Sequence, residues 1–371
     1  MKRSARLSLV AASVLVGVSL ALGQTEGVKP APPTKADTAN WMAHGRPLPV
    51  PELLQPTLDR DLPAFVPKES KELSGHLIGA SSDVLADLSQ RWIAAFKAYY
   101  PNVKVEVPPP YSGKVGAKEL VSEKIDFALV SRELVPSDVT DFQAKFSYPP
   151  LSVPVMGGSY RAFGFLDAVA FFVHKDNPLT HLSFQQLDAV LSTTVHRGAA
   201  PVRTWGQLGL TGEWADKPID VWAVKPWNGF EEFIRERVLS TPGHRGEWRT
   251  DLNFVETVFP IAPHVSQDKY AIGYAGLAYI NDGVKLLAVA PTAEGPFYPP
   301  SYEEVARARY PLSRLVYCNI NKHPGTAVSP VLAEFIRFIL SREGQQVVLN
   351  QAVFIPLRAG QSAASVSLLN P

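Results

Sequence analysis

Small polar residues stand at three points where a predicted strand is followed by a predicted helix. The three turns contain Ser81 and Ser82, Ser112 and Gly113, and Asn228 and Gly229. A helix N-terminus offers unpaired backbone N–H groups and the positive end of the helix dipole, so such turns can bind a small anion. Ser and Asn are also the ordinary N-caps of helices, so any one of these turns could equally serve only to cap its helix.

Motifs for catalysis are missing from the sequence. It has no Gly-x-Ser-x-Gly elbow, no His-Glu-x-x-His pair, no Walker loop and no dinucleotide glycine fingerprint. The eight histidines are scattered, and Cys318 lies in a predicted apolar strand. We therefore expect a binding protein that is not an enzyme and that has no cofactor and no metal site. A hydrolase that uses Asp83, or a metal held by residues distant in sequence, is an alternative.

The N-terminus indicates export. Lys2 and Arg3 precede an apolar run over residues 7–22, which is too short to span a bilayer, and the small residue Gly23 suits cleavage before Gln24. We interpret residues 1–23 as a cleaved signal peptide and expect a soluble periplasmic protein. A single cysteine cannot form an internal disulfide, so the hydrophobic core must hold the fold together.

Composition and charge limit the partners. The 36 basic and 35 acidic residues nearly cancel, which argues against nucleic acid as a partner. Hydrophobic residues make up 46% of the chain and charged residues 19%, enough apolar material for two lobes. We expect a monomer.

Residues 24–73 form a predicted proline-rich arm, and residues 361–371 a C-terminal tail. Nine prolines lie between residues 29 and 68, where no sustained periodicity is found. Trp41 and Phe65 are apolar residues that could pack on the folded body. An ordered strap and a disordered tether therefore remain equally open.

After residue 74, short apolar runs alternate with amphipathic helical patterns, which predicts an α/β protein with a parallel or mixed sheet. The predicted strands include residues 77–80, 103–107, 125–129, 168–173 and 219–223, and the predicted helices include residues 183–191, 230–239 and 330–340. The most apolar strand, residues 168–173, is expected to be buried.

These turns and strands resemble the phosphate-binding component of bacterial ABC importers, the PstS type. The matching stretches are Ala80-Ser81-Ser82-Asp83-Val84, Tyr111-Ser112-Gly113, residues 125–132 ending in Ser131-Arg132, residues 167–173 before Asp176-Asn177-Pro178, residues 271–277, Tyr310-Pro311-Leu312-Ser313-Arg314 and residues 340–345. The resemblance extends over residues 77–357 in the family's order.

The resemblance implies a two-lobed fold of the type II periplasmic binding protein class, with a hinge and an interlobe cleft. The first lobe would comprise residues 74–168 and 284–360, and the second residues 169–283. The ligand, phosphate or a related small oxyanion, would lie between the lobes, and hinge closure would create the form that an ABC permease recognises.

The predicted ligand site lies at the strand-to-helix turns, because ligands in open α/β sheets bind beyond the carboxyl ends of the strands. We expect it to contain Ser81, Ser82, Asp83, Ser112, Gly113, Ser131, Arg132, Lys225, Asn228 and Gly229.

Three positions depart from the family pattern. Val224 stands where the family has an arginine, Phe230 replaces a threonine, and Asp83 replaces a threonine in the first turn. Lys225 or Arg132 could restore the missing charge, although a lysine is a point donor and not a fork. Asp83 could instead pair with Arg132, or with a cationic or hydroxylated ligand, while Trp227 and Phe230 either line the ligand or pack under their helix.

An alternative function follows from these departures. The binding-protein fold could serve as a cell-envelope interaction or sensing module, with altered or lost phosphate binding and with the arm as its working surface. In that case, deletion of residues 29–68 is expected to abolish partner binding and to leave the fold intact.

Overall fold

A computed structural model describes residues 56–371, apart from residues 113–116, 163–165 and 227. The predicted signal peptide and most of the predicted arm lie outside the described residues. Within the described ranges, none of the helices combines the length and the apolar character that crossing a membrane requires.

The strands, in chain order, are β1 (Gly75–Ser81), β2 (Val103–Glu106), β3 (Phe127–Val130), β4 (Leu151–Ser159), β5 (Val169–His174), β6 (His181–Ser183), β7 (Asp220–Val224), β8 (Asn253–Val255), β9 (Ala271–Gly276), β10 (Val284–Leu286), β11 (Ala288–Ala290), β12 (Leu315–Ile320) and β13 (Phe354–Ile355). The helices are α1 (Ala86–Phe96), α2 (Ala117–Val121), α3 (Pro136–Phe146), α4 (Phe184–Leu191), α5 (Gly229–Ile234), α6 (Ile261–Gln267), α7 (Tyr302–Ala306), α8 (Pro330–Leu340), α9 (Arg342–Gln351) and α10 (Ala359–Ser367).

The strands form two large mixed sheets and a small two-stranded one. The first sheet has the order β13-β4-β12-β3-β1-β2, and β1 is parallel to both β2 and β3. The second has the order β10-β5-β9-β7-β8, and β7 is parallel to both β8 and β9. The carboxyl ends of β1, β2 and β3 therefore share one edge of the first sheet, and those of β7 and β8 share one edge of the second.

Each large sheet has its own hydrophobic core, and we call the sheet with its core the first lobe and the second lobe. The core of the second lobe includes every residue of the predicted buried strand, residues 168–173, continues to Leu312, and is joined by Ile355 of β13. The core of the first lobe resumes at Val316. The chain therefore crosses between the cores near residues 166–168 and again near residues 312–316, whereas the sequence interpretation drew the second division at residue 283.

The two crossing segments run side by side. The Val169 N–H donates to the Leu312 carbonyl at 3.2 Å, and the Gly158 N–H donates to the Arg314 carbonyl at 2.8 Å. Because these are backbone hydrogen bonds, the segments form a short ribbon between the lobes, which is the geometry of a hinge.

The described part of the arm is an ordered strap on the first lobe. Phe65 packs edge-on against Tyr99 and Phe338, with ring centroids 4.9 and 5.5 Å apart. The Arg342 N–H donates to the Pro63 carbonyl at 2.8 Å, and the Phe65 N–H donates to Glu343 at 2.6 Å. A deletion that extends to residue 68 would remove these contacts, so we predict that it destabilises the first lobe.

Candidate functional site

The serine turns of the first lobe meet at the carboxyl edge of its sheet. Ser82 follows β1, and its N–H donates to the Leu129 carbonyl at 2.9 Å. The Ser131 N–H, just after β3, donates to Ser82 Oγ at 3.2 Å. The Ser112 N–H donates to the Ser81 carbonyl at 3.3 Å, which brings the second predicted turn to the same edge. The structure thus brings together Ser81, Ser82, Ser112 and Ser131, and Gly113 lies outside the described residues.

Asp83 and Arg132 have separate partners. Asp83 is exposed, and its carboxylate accepts from the Val84 N–H at 2.9 Å. Arg132 Nη1 forms an ion pair with Asp138 Oδ2 at 2.9 Å. The positive charge of Arg132 is therefore compensated within the first lobe by a carboxylate of α3 and not by Asp83.

The second-lobe turn caps its own helix. The side chain of Asn228 accepts from the Phe230 N–H at 2.9 Å, as an N-cap does. Gly229 is exposed, and a Cβ atom added there would meet nothing within 4 Å. Lys225 forms an ion pair with Glu256, the residue that follows the neighbouring strand β8. This turn therefore offers open backbone at the start of α5, while the charge of Lys225 is already compensated.

The two departures in the second lobe have packing roles. Val224 is completely buried in the second core, and its N–H donates to the Tyr274 hydroxyl at 3.3 Å. The Phe230 ring lies edge-on to Tyr279, with centroids 5.7 Å apart. Phe230 thus packs beside its helix, as one of the two sequence interpretations expected; Trp227 lies outside the described residues.

An ion pair joins the segments that follow these turns. Glu133, two residues after Ser131, accepts from Arg237 Nη1 of the second lobe at 3.0 Å and from the Tyr317 hydroxyl at 3.2 Å. Burial raises the pKa of Tyr317, and the carboxylate of Glu133 raises it further. Arg237 also donates from Nε to the Pro311 carbonyl at 3.3 Å. The segment that follows Ser131 therefore contacts the far end of the helix that begins at Gly229.

Two charged residues occupy the hinge, and the sequence interpretation did not place either of them in the site. Asp167 is buried on the first crossing segment, and its carboxylate accepts from the Ala278 N–H at 2.9 Å. Burial raises the pKa of Asp167 to about 7, although the nearby Arg314 guanidinium and the Ala278 hydrogen bond both lower it. Arg314, on the second crossing segment, lies over the ring of Phe233 at 4.6 Å.

The signal that could have found these residues is their place in the chain. Arg314 ends the stretch Tyr310-Pro311-Leu312-Ser313-Arg314, which the sequence matched to the family without giving it a role. Asp167 and Arg314 each lie beside an apolar strand, where a side chain is expected to be buried. Because charged side chains are seldom buried without a partner, two such residues indicate a functional site.

A cavity near the lobe boundary is distinct from the serine turns. Its volume is about 550 Å³, and its lining includes Arg197, Arg237 and Arg309. Each guanidinium is already occupied: Arg197 donates to backbone carbonyls, and Arg237 and Arg309 pair with carboxylates. Each of these three guanidinium groups therefore already has hydrogen-bond partners within the chain.

The described residues also bear on metal and thiol chemistry. No group of three or more His, Cys, Asp or Glu within them is arranged to hold a metal ion. Cys318 is buried in β12, and burial raises its pKa to about 12, so it stays a thiol at neutral pH.

Comparisons with known proteins agree with this architecture. A sequence model described as a PBP superfamily domain matches residues 66–343. The phosphate-binding protein PstS of Pseudomonas aeruginosa is 33% identical over 303 residues, which cover 81% of this chain and 88% of that protein. The phosphate-binding protein PstS of Staphylococcus epidermidis is 22% identical over 281 residues, which cover 75% of this chain and 78% of that protein.

A solved structure also resembles the chain. The crystal structure of PstS from Borrelia burgdorferi has a TM-score of 0.54 at 20% sequence identity, and the match covers 77% of this chain and 100% of that one. This similarity supports the two-lobed fold.

Proposed function

We propose that this chain, which belongs to the PstS-type family of phosphate-binding proteins within the PBP superfamily, binds inorganic phosphate or a related small oxyanion and passes it unchanged to an ABC permease. The observation that carries the proposal is the hydrogen bond from the Ser131 N–H to Ser82 Oγ, which holds two polar turns together. The backbone N–H groups of Ser82, Ser112 and Ser131 hold the turns in place, and serine hydroxyl groups collected at the carboxyl edge of a sheet can donate to an oxyanion.

The lobes close around the ligand in this proposal. The first lobe supplies the turns at Ser82, Ser112 and Ser131, and the second supplies the start of α5 at Asn228 and Gly229. The Glu133–Arg237 ion pair supports this assignment, because it joins the segments that follow the two sets of turns. A ligand that contacts both lobes binds the closed arrangement more tightly than the open one, and it would therefore stabilise the closed arrangement.

We also propose that residues 1–23 are removed on export and that the mature chain acts in the periplasm as a monomer. The apolar N-terminal run supports the first point. The separate cores of the two lobes support the second, because each lobe buries its own hydrophobic residues within one chain.

The function is tested by titration calorimetry of the mature chain. Phosphate, arsenate, sulfate and methylphosphonate are each titrated into protein that has been unfolded, dialysed free of ligand and refolded. We expect saturable binding of phosphate and a rise in melting temperature, since a ligand that binds only the native state stabilises it. If none of the four anions produces heat or a thermal shift, the proposal fails and the interaction-module alternative is favoured.

A further inference from the structure

Arg314 is a cation at the boundary between the lobes. It precedes β12 on the second crossing segment, and its guanidinium lies 4.6 Å from the ring centroid of Phe233 on α5 of the second lobe. It also interacts electrostatically with Asp167 on the other crossing segment and with Glu133 of the first lobe. Arg314 is thus near α5, near the segment that follows Ser131, and near the hinge.

The donors of this guanidinium have no acceptor among the residues that the structure describes. Arginine carries five N–H donors in a planar fork, and a half-buried arginine ordinarily forms hydrogen bonds with several of them. Asp167 accepts from the Ala278 N–H, and Glu133 accepts from Arg237 and Tyr317. The two nearby carboxylates are therefore engaged elsewhere, and a desolvated charge without a hydrogen-bond partner is costly.

Three other cations near the predicted turns are already paired. Arg132 pairs with Asp138 at 2.9 Å, Arg237 pairs with Glu133 at 3.0 Å, and Lys225 pairs with Glu256. Val224, at the end of β7, is uncharged and completely buried. Within the described part of the chain, Arg314 is therefore an unpaired cation that lies against both α5 and the first-lobe segment containing Glu133.

We propose that Arg314 supplies the guanidinium that binds the oxyanion between the lobes. The inference rests on the proposed function, because it identifies a residue of that same site. A guanidinium donates two parallel hydrogen bonds to a phosphate, which gives both charge and orientation. Because Arg314 lies on a crossing segment, a ligand bound to it would also be sensitive to the relative position of the lobes.

The test compares phosphate affinity in the mature wild-type chain, in R314Q and R314K, and in a control, K104Q. Lys104 is an exposed residue of the edge strand β2, so K104Q removes the same charge away from the hinge. We expect R314Q to weaken phosphate binding roughly 10- to 100-fold, the effect of losing a charge-assisted hydrogen bond. R314K should lose less, because lysine keeps the charge but not the fork, and K104Q should bind as the wild type does.

A spectroscopic measurement does not depend on the folding of R314Q. In a ¹H–¹⁵N spectrum of arginine Nε–H groups, the signal that R314K lacks belongs to Arg314. We expect this signal to shift when phosphate is added to the wild type.

The outcomes separate the two proposals. If the wild type binds phosphate and R314Q binds it equally well, the inference fails and the proposed function stands. If R314Q does not fold and the Arg314 signal is unmoved by saturating phosphate, the inference also fails. If the wild type binds no phosphate at all, both proposals fail.

Discussion

Arg237 of the second lobe and Glu133 of the first form an ion pair across the lobe boundary, with 3.0 Å between Nη1 and Oε1. Both side chains are about two-fifths exposed, so the pair contributes roughly 0–1 kcal/mol. In the proposed closing of the lobes around a ligand, an ion pair that joins the lobes would favour the closed form.

We therefore expect R237Q to weaken phosphate binding a few-fold by calorimetry. The double variant E133Q/R237Q should be no weaker than R237Q, since the same contact is lost in each. Arg307 pairs with Glu303 within one helical segment and provides the control R307Q, which should bind normally. Additive losses in the double variant would show that the two residues act independently.

Asp167 predicts a pH dependence of stability. Its pKa is raised from 3.8 to about 7 by burial, so the native state holds the proton more tightly than the unfolded state does. Between about pH 4 and pH 7 the native state binds more protons, and the free energy of unfolding falls as the pH rises. Titration of Asp167 lowers the free energy of unfolding by at most about 4 kcal/mol over this range.

The variant D167N removes this titration and keeps an oxygen to accept from the Ala278 N–H. Urea unfolding of the wild type and D167N at several pH values between 4 and 8 measures the difference. We expect the free energy of unfolding of the wild type to decline relative to that of D167N as the pH rises. Parallel pH profiles would contradict the assignment.

A buried carboxylate supports the helix at the second-lobe turn. Glu231, 2% exposed, accepts from the Trp248 indole N–H at 2.6 Å and from Arg235 Nε at 2.6 Å. Removal of Glu231 leaves the buried Arg235 with only the exposed Glu247, 3.7 Å away, so E231A should lower the free energy of unfolding by about 3–5 kcal/mol. The exposed neighbour Glu232 gives the control E232A, expected to change it by less than about 0.5 kcal/mol. Similar urea midpoints for the two variants would refute this role.

The strap provides a matched pair of neighbours. Phe65 is 8% exposed and packs on Tyr99 and Phe338, whereas Val66 is 73% exposed. F65A should lower the free energy of unfolding by about 3–5 kcal/mol, and V66A by less than about 0.5 kcal/mol. A thermally stable F65A would mean that the strap is dispensable. Tests of the arm as an interaction surface should accordingly delete residues 29–55 and retain the strap.

Asp83 should oppose the binding of an anion. It is exposed beside the buried Ser82, and its carboxylate would repel phosphate directly, since Arg132 pairs with Asp138. Two nearby charges in water repel each other by about 1 kcal/mol. The variant D83T removes this repulsion, so we expect it to bind phosphate a few-fold more tightly. The control is D216T, at an exposed position of the second lobe. Weaker binding by D83T would show that Asp83 contacts the ligand as an acceptor.

Much of the fold was predictable because burial imposes periodic patterns on the sequence. The helix predicted over residues 330–340 has those bounds, and the strand predicted at residues 168–173 is β5, one residue later. The helix predicted over residues 230–239 instead ends at Ile234 and continues as one π-helical turn, Arg235–Leu239. Arg197, which is distant in sequence, donates to the carbonyls of that turn. The hydrophobic periodicity of residues 230–239 alone cannot predict a contact with a residue outside that segment.

The site was less predictable, because side-chain partners are chosen in three dimensions. The edge of a parallel sheet brings Ser82 and Ser131 together, as topology predicts. The pairing of Arg132 with Asp138 depends on the position of α3, and the environment of Arg314 depends on how the two crossing segments meet. Neither follows from local spacing.

The most direct test of a phosphate site between the lobes is a crystal structure of the mature chain grown with phosphate. We predict one tetrahedral ligand that accepts from the turns at Ser82 and Ser131, from the start of α5 at Gly229, and from Arg314. A crystal in which phosphate leaves these groups unoccupied, or contacts one lobe alone, would contradict the account.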